Sequence, residues 1–218
     1  NVVPAAAEAL FEGLDGDETE ALAKSMEEEL GITFTVSSED GCLKIAASGE
    51  NGHASTPWKG KNALTGLLAL IERLPLAECG QLKAVRALNH LMPHGDWFGA
   101  GLGIQMSDEE SGELTLAFSM LDISEKSLEG EFDSRCPICA TKENTIDVIR
   151  KNMEAEGISF NTEELEPPHH VPADSDFVKT LLSAYESYSG RKGECIAIGG
   201  GTYVHHLKNG VAFGACLP

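Results

Sequence analysis

The stretch Gly52-His53-Ala54-Ser55-Thr56-Pro57-Trp58-Lys59-Gly60-Lys61-Asn62-Ala63 is where extended chain hands over to helix. It puts one histidine on a short turn rich in Gly, Ser and Pro, directly ahead of an apolar helical face made by Leu64, Leu67, Leu68 and Ile71. A histidine held at a helix entrance is placed to project into a cleft. A lone histidine on a turn is also an ordinary surface residue, and the turn by itself does not choose between the two.

Working outward, residues 32–36 alternate as a strand, and Asp40-Gly41 supplies a hairpin turn into a second strand over 42–46. Upstream of that hairpin, Asp17 is placed to cap a helix over about 18–30, lined by Leu22, Met26 and Leu30 and stopped by Gly31. Residues 1–16 read as a short apolar, strand-like piece that turns at Gly13-Leu14-Asp15-Gly16. Downstream of the histidine turn the spacing predicts helices over about 61–73 and 78–91. A strand pair over 100–106 and 113–121 follows, across the polar loop 107–112, with a further strand over 132–137. A helix at about 144–156 presents Ile146, Ile149 and Met153 and stops at Gly157, and 158–165 is extended. Two strand–helix–strand groupings of similar size, about 1–95 and 96–166, therefore share the first part of the chain. Helices on one side of largely antiparallel sheet give the α+β class.

Composition changes at Glu166-Pro167-Pro168-His169-His170-Val171-Pro172, where the prolines hold the backbone extended as a junction between units does. Beyond it the pattern predicts a helix over about 174–189 with Phe177, Leu181, Leu182, Tyr185 and Tyr188 facing inward. A strand over 195–198, the run Gly199-Gly200-Gly201-Thr202, a short helix and a strand over 211–214 complete the sequence. Residues 167–218 thus read as half of a βαβ unit, a partial α/β segment too short to stand alone.

The chain has 218 residues, enough core to need no disulfide staples, and its 42% hydrophobic content fits a folded globular protein. Its formal charge of -19, with no basic stripe, argues against a nucleic-acid partner, because phosphates need clustered Lys and Arg. No apolar run is long enough to cross a membrane, which argues against a membrane partner. Of the six cysteines, Cys42, Cys79, Cys195 and Cys216 fall in or beside strand-like segments, which fits reduced thiols and a cytoplasmic location. The chain opens on Asn1 rather than Met and stops at Pro218 directly after a strand-like piece, so we expect a fragment of a longer polypeptide.

Several residues have the chemistry of sites. The glycine run sits where a strand meets a helix, and successive backbone N–H groups there cradle a carboxylate or phosphate, or simply make a packing turn. It lacks the Lys-Ser/Thr ending of a nucleotide loop. Arg135 stands at a strand end beside Asp133, so its guanidinium either grips a ligand carboxylate or pairs with that aspartate. Cys136-Pro137-Ile138-Cys139 has the spacing of half a zinc site, with no second half to complete it. His169-His170 and His205-His206 are adjacent pairs whose side chains diverge, and no third converging ligand is evident, so no metal residue is assigned.

The histidine turn resembles the Gly-x-His-x-Ser-x-Pro-x-x-Gly-x-Asn-Ala motif of the dinuclear zinc peptidases, which include aminoacylases, succinyl-diaminopimelate desuccinylase and bacterial dipeptidases. The proline–histidine junction, Ile198-Gly199-Gly200-Gly201-Thr202-Tyr203 and Gly210-Val211-Ala212-Phe213-Gly214 narrow the likeness to the broad-specificity, carnosinase-like (Xaa-His) dipeptidases of lactobacilli. The resemblance implies that 1–166 is most of a lid domain with two related, ferredoxin-like halves, and that 167–218 is a returning piece of a catalytic domain. It implies that His53 stabilises the oxyanion formed at the scissile carbonyl and that Asn1 lies near the same end of the substrate. It assigns Arg135, Gly200 and Gly201 to the dipeptide's terminal carboxylate, although Cys136-Pro137-Ile138-Cys139 departs from the usual continuation after that arginine. The family's two zinc ions are held by residues expected upstream of Asn1 and beyond Pro218. The fragment alone is therefore expected to bind no catalytic zinc, to hydrolyse nothing, and to need a missing N-terminal catalytic segment as its partner. A related deacylase or desuccinylase, and a non-catalytic binding or dimerisation module, are the alternative readings.

Overall fold

The computed structural model describes residues 1–201 and 203–214. It contains β1 (Val2–Val3), β2 (Ala6–Phe11), α1 (Gly16–Leu30), β3 (Thr33–Glu39), β4 (Cys42–Ser48), β5 (Gly52–His53), a 3-10 turn (Pro57–Lys59), α2 (Ala63–Arg73) and α3 (Gly80–Leu91). These are followed by β6 (Ser107–Asp108), β7 (Gly112–Glu113), β8 (Thr115–Ile123), β9 (Leu128–Arg135), α4 (Ile146–Ala155) and α5 (Asp176–Ser189). The architecture is α+β: short antiparallel sheets with helices packed on one face.

The first sheet has the order β2-β4-β3, and both outer strands run antiparallel to β4. β2 and β3 are therefore parallel to each other, joined by α1 as a crossover with β4 inserted between them. Register pairs Ala7 with Ala47, Ala9 with Ile45 and Phe11 with Leu43, and on the other side Phe34 with Ala47 and Val36 with Ile45. Because side chains alternate along a strand, this puts one apolar face toward α1 and α2, while Glu8, Leu10, Thr33 and Thr35 face outward. Asp40-Gly41 makes the hairpin turn with positive φ at both residues, as the sequence predicts. The cap of α1 is Asp15, not Asp17: Asp15 Oδ1 accepts the Glu18 N–H at 2.9 Å, so the helix starts at Gly16.

One hydrophobic cluster takes side chains from both 1–95 and 96–166. Ile32, Ile45, Leu70, Leu88 and Leu91 meet Leu102, Ile104, Leu114, Leu116, Phe118, Ile149 and Met153. β8 and β9 form a two-stranded ladder with an irregularity between Phe118 and Met120. The N-terminal half of β8 is buried on both faces, from Thr115 to Phe118.

Three further expectations fail, each for a physical reason. Residues 100–103 are a turn and 104–106 irregular rather than a strand, despite buried Leu102 and Ile104 at the spacing of one. Gly99 and Gly103 take φ of 74° and 77°, and the Gly101 backbone packs against the carbonyls of His90 and Leu91. Asp96 fastens the turn by accepting the N–H groups of Phe98, Ala100 and Gly101. α5 forms, but of its residues only Val178 is buried; Phe177 and Tyr188 are exposed, and Leu181, Leu182 and Tyr185 are half-buried. Among the described residues the strands expected over 195–198 and 211–214, and the short helix between them, do not form. Ile196 and Ile198 are 76% and 66% exposed. A strand exists only with a neighbour to pair with, and no ladder reaches these residues among those described. Thr202 of the glycine run and Cys216 lie outside the described residues.

His94 ties two helices together within the first part of the fold. Its Nε2–H donates to the Leu30 carbonyl at 2.8 Å, and its Nδ1 accepts the Thr65 hydroxyl at 2.8 Å, so the end of α1 is fastened to the first turn of α2. Burial lowers the pKa of this imidazole, with the bond to Leu30 opposing the shift. Its folded pKa therefore lies below the unfolded value of about 6.5. The stabilisation is complete above that pH and is lost as the pH falls through the lowered folded value. Thermal melts should show stability dropping below about pH 6.5, and His94→Gln should be less stable at neutral pH but flatter in its pH dependence. Parallel pH profiles for the two proteins would remove His94 from this role.

Candidate functional site

The histidine turn is built from backbone pairing at both ends. β5 pairs antiparallel with β1, placing Val2 opposite His53 and Val3 opposite Gly52. The base of the turn is pinched where the Glu50 N–H donates to the Lys61 carbonyl at 3.0 Å and the Lys61 N–H returns to Glu50 at 2.8 Å. Inside the pinch the Gly52 and Gly60 backbones touch: a Cβ on Gly52 would sit 2.9 Å from the Gly60 nitrogen, and one on Gly60 would sit 3.0 Å from the Gly52 nitrogen. No side chain fits at either position without moving backbone, which accounts for both glycines.

The turn is then fixed to β8. Ala54 is fully buried against Val3 and Ala117, and its carbonyl accepts the hydroxyl of buried Thr115 at 2.9 Å. The Ala54 N–H donates to the Asn1 carbonyl at 3.1 Å. Asn62 caps α2 by accepting the Thr65 N–H at 3.1 Å, while its side-chain amide donates to the Phe118 carbonyl at 2.8 Å. Thr115 lies directly opposite Arg135 in the β8–β9 ladder. The turn carrying His53 and the strand end carrying Arg135 are thus joined through one residue.

Arg135 is engaged by Asp133, with Nε to Oδ1 at 2.6 Å and Nη2 to Oδ2 at 2.8 Å. This uses one edge of the fork and leaves Nη1 and the second Nη2 hydrogen as another donor edge. The glycine run lies against the arginine: a Cβ on Gly200 would be 3.6 Å from Nη1, and one on Gly199 would be 3.3 Å from Ser55 Cβ and 3.5 Å from Arg135 Cβ. Gly201 has open space around it. The Asn1 backbone nitrogen lies 4.0 Å from Asp133 Oδ2. Asn1, His53, Arg135 and Gly200 therefore share one locality, with Gly201 at its edge.

Two members of this locality escaped sequence reading. Ser55 touches both His53 and the glycine run, and its signal was its position two residues after the histidine, the spacing of a side-chain-closed turn. Thr115 gave no signal, because its role depends on what lies over its strand. The other sequence-marked groups lie elsewhere. Cys136 and Cys139 are free, and burial pushes both thiols up. Their loop is anchored by the Ile138 N–H to Ser111 Oγ and the Cys139 N–H to Asp108. Asp108 also accepts from the Ser111 N–H and hydroxyl, and these bonds hold its pKa down at about 2. His170 lies 3.0 Å from Glu110, and the His205 ring is tilted against His169 and edge-on to His206, with His169 Nε2 on the Gly210 carbonyl. Among the described residues no group of three or more His, Cys, Asp or Glu is arranged to hold a metal ion. A cavity of about 100 Å³ between α2 and residues 92–97 is too small for a dipeptide, and neither His53 nor Arg135 lines it.

No family model matches the chain. Individual proteins do. It is 36% identical over 219 residues to the "Putative dipeptidase YtjP" of Bacillus subtilis, covering all of this chain and 46% of that protein. It is 31% identical over 219 residues to the "Beta-Ala-Xaa dipeptidase" of Lactobacillus delbrueckii subsp. lactis, covering 99% of this chain and 45% of that one. A "Putative dipeptidase" of Staphylococcus epidermidis is 30% identical over 178 residues, 81% of this chain and 38% of its own length. The chain is a distant homologue of bacterial proteins named as dipeptidases. It spans a little under half the length of the first two of these relatives. Among the described residues, no helix is long and apolar enough to cross a membrane.

The touching glycines give a direct test of how the turn is held. Gly52→Ala and Gly60→Ala should each destabilise the fold by about 1–3 kcal/mol, the range for forcing an extra methyl into a packed site. Amide shifts should move around residues 50–61 and 115–118 and stay fixed in α4. Wild-type melting with either substitution would show that the close approach does not constrain the turn.

Proposed function

We propose that this chain is the substrate-gripping part of a longer dipeptidase. His53 donates to the oxyanion that forms on the scissile carbonyl, and Arg135, Gly200 and Gly201 receive the free carboxylate of the dipeptide. Asn1 lines the end of the site nearest His53. The observation that carries this reading is the meeting of an exposed imidazole, a half-occupied guanidinium and a glycine run at one place, in a chain whose relatives are named as dipeptidases.

The chemistry of each group is suited to its part. A donor held where negative charge develops lowers the barrier most when the surrounding structure already fixes its position. The free edge of Arg135 offers two parallel N–H groups, the geometry a carboxylate accepts. The pairing with Asp133 makes that fork locally neutral, and the chain as a whole carries -19. Carboxylate recognition here therefore rests on oriented donors, the guanidinium edge and the glycine N–H groups, rather than on a positive field. Such a grip selects short peptides with a free C-terminus.

The described residues do not fit the zinc pair that the resemblance implies, since no converging set of ligands exists among them. On this reading the metal centre and the general base come from sequence that the relatives carry outside the matched half. The isolated chain then has no hydrolytic activity of its own.

The test uses the complete polypeptide that carries this segment. His53→Ala should lower kcat on dipeptides about 100-fold or more while leaving KM nearly unchanged, as expected for a contact made in the transition state. Arg135→Ala should instead raise KM, and dipeptide amides should be poor substrates for the unaltered enzyme. A His53→Ala protein that keeps its rate would overturn the assignment.

A further inference from the structure

His53 can donate to an oxyanion only from a ring nitrogen that carries a proton, and a neutral imidazole carries one. The contacts of the turn decide which. His53 Nδ1 accepts the Ser55 backbone N–H at 3.1 Å and lies 2.8 Å from Ser55 Oγ. A nitrogen that accepts an N–H has no proton of its own, so the hydroxyl must donate to it as well, and the proton of the ring sits on Nε2. The chain holds a contrast of opposite sign. His90 Nδ1 lies 2.6 Å from Glu156 Oε1, an acceptor, so there Nδ1 is the protonated nitrogen.

We propose that Ser55 is a positioning residue that fixes His53 as the Nε2–H tautomer and ties the ring back onto its own turn, leaving Nε2–H as the outward donor. Two donors from one residue close on one lone pair, and the side chain supplying the second is itself confined. Ser55 Cβ packs against Gly199, at the spot where a Cβ on that glycine would come within 3.3 Å of it and 3.5 Å of Arg135 Cβ. Ser55 therefore stands between the imidazole and the carboxylate-binding side of the locality. A shift of the glycine run reaches the histidine through it. The inference rests on the role proposed for His53, but its geometry does not depend on turnover.

The experiment reads the tautomer in the 218-residue chain itself, labelled with ¹⁵N. Long-range ¹H–¹⁵N spectra at about pH 8 should show a protonated Nε2 and a bare Nδ1 for His53, and the reverse for His90. Ser55→Ala removes the hydroxyl and keeps the amide. The share of the Nδ1–H form of His53 should then rise about fivefold, the effect of losing one neutral hydrogen bond. Ser55→Thr should restore the wild-type pattern, and His90 should not change in either variant. A protonated Nδ1 on His53 in the unaltered chain, or ¹⁵N shifts that Ser55→Ala leaves in place, would overturn the proposal. These outcomes are independent of the functional reading, which stands or falls on dipeptide turnover by the His53→Ala polypeptide.

Discussion

The site hangs on one buried hydrogen bond, from the Thr115 hydroxyl to the Ala54 carbonyl. Thr115 is among the few buried polar side chains, and its partner belongs to a residue with no exposed surface. Net, such a bond contributes about 1 kcal/mol, but leaving the buried carbonyl unpaired costs about 1–3 kcal/mol. That asymmetry holds the turn in one place on β8. The neighbouring groups are satisfied with equal care: the Ala54 N–H by Asn1, the Ala63 N–H by Pro4, and the Phe118 carbonyl by the Asn62 amide. A loop of a dozen residues thereby behaves as part of the sheet, and the backbone that carries His53 is held with it.

The same bond links two chemistries. Thr115 sits across the ladder from Arg135, so the hydroxyl that holds the histidine turn also sets its distance from the guanidinium. Asp133 then constrains the arginine from its own strand, by occupying one edge of the fork and leaving the other toward the glycine run. Ser55 and Gly199 close the circuit on the far side. The site is thus a ring of short contacts, each with a local physical cause, rather than a pocket lined by one element.

Beyond residue 158 the balance changes. α5 is well capped by Ser175 and ended by Gly190, yet of its residues only Val178 is fully buried, and among the described residues the strand-like segments after it have no ladder. Helix formation needs only local hydrogen bonds and so proceeds; strand formation needs a neighbour and does not. Among the described residues this segment meets the body of the fold at Phe160 on Phe132, at His170 beside Glu110, and at the glycine run against Ser55 and Arg135.

What the sequence determined by itself was local. The Asp40-Gly41 hairpin, the stop at Gly31, the apolar faces of α2 and α4 and the capped helix α5 all follow from spacing and turn chemistry that act within a few residues. His53, Arg135 and the glycine run could be marked as site candidates because their residue types and motif carry that chemistry wherever they fold. The failures were also local signals, overruled. Leu102 and Ile104 alternate like a strand, but three glycines and the Asp96 carboxylate bend the backbone into a turn. Residues 195–198 are as β-like as any in the chain and remain unpaired. Only the tertiary structure decided that Thr115 would lie beneath Ala54 and opposite Arg135, and that Ser55 would face Gly199. Those contacts join residues up to 144 positions apart in the sequence, from Ser55 to Gly199, and no periodicity records which buried donor will meet which carbonyl.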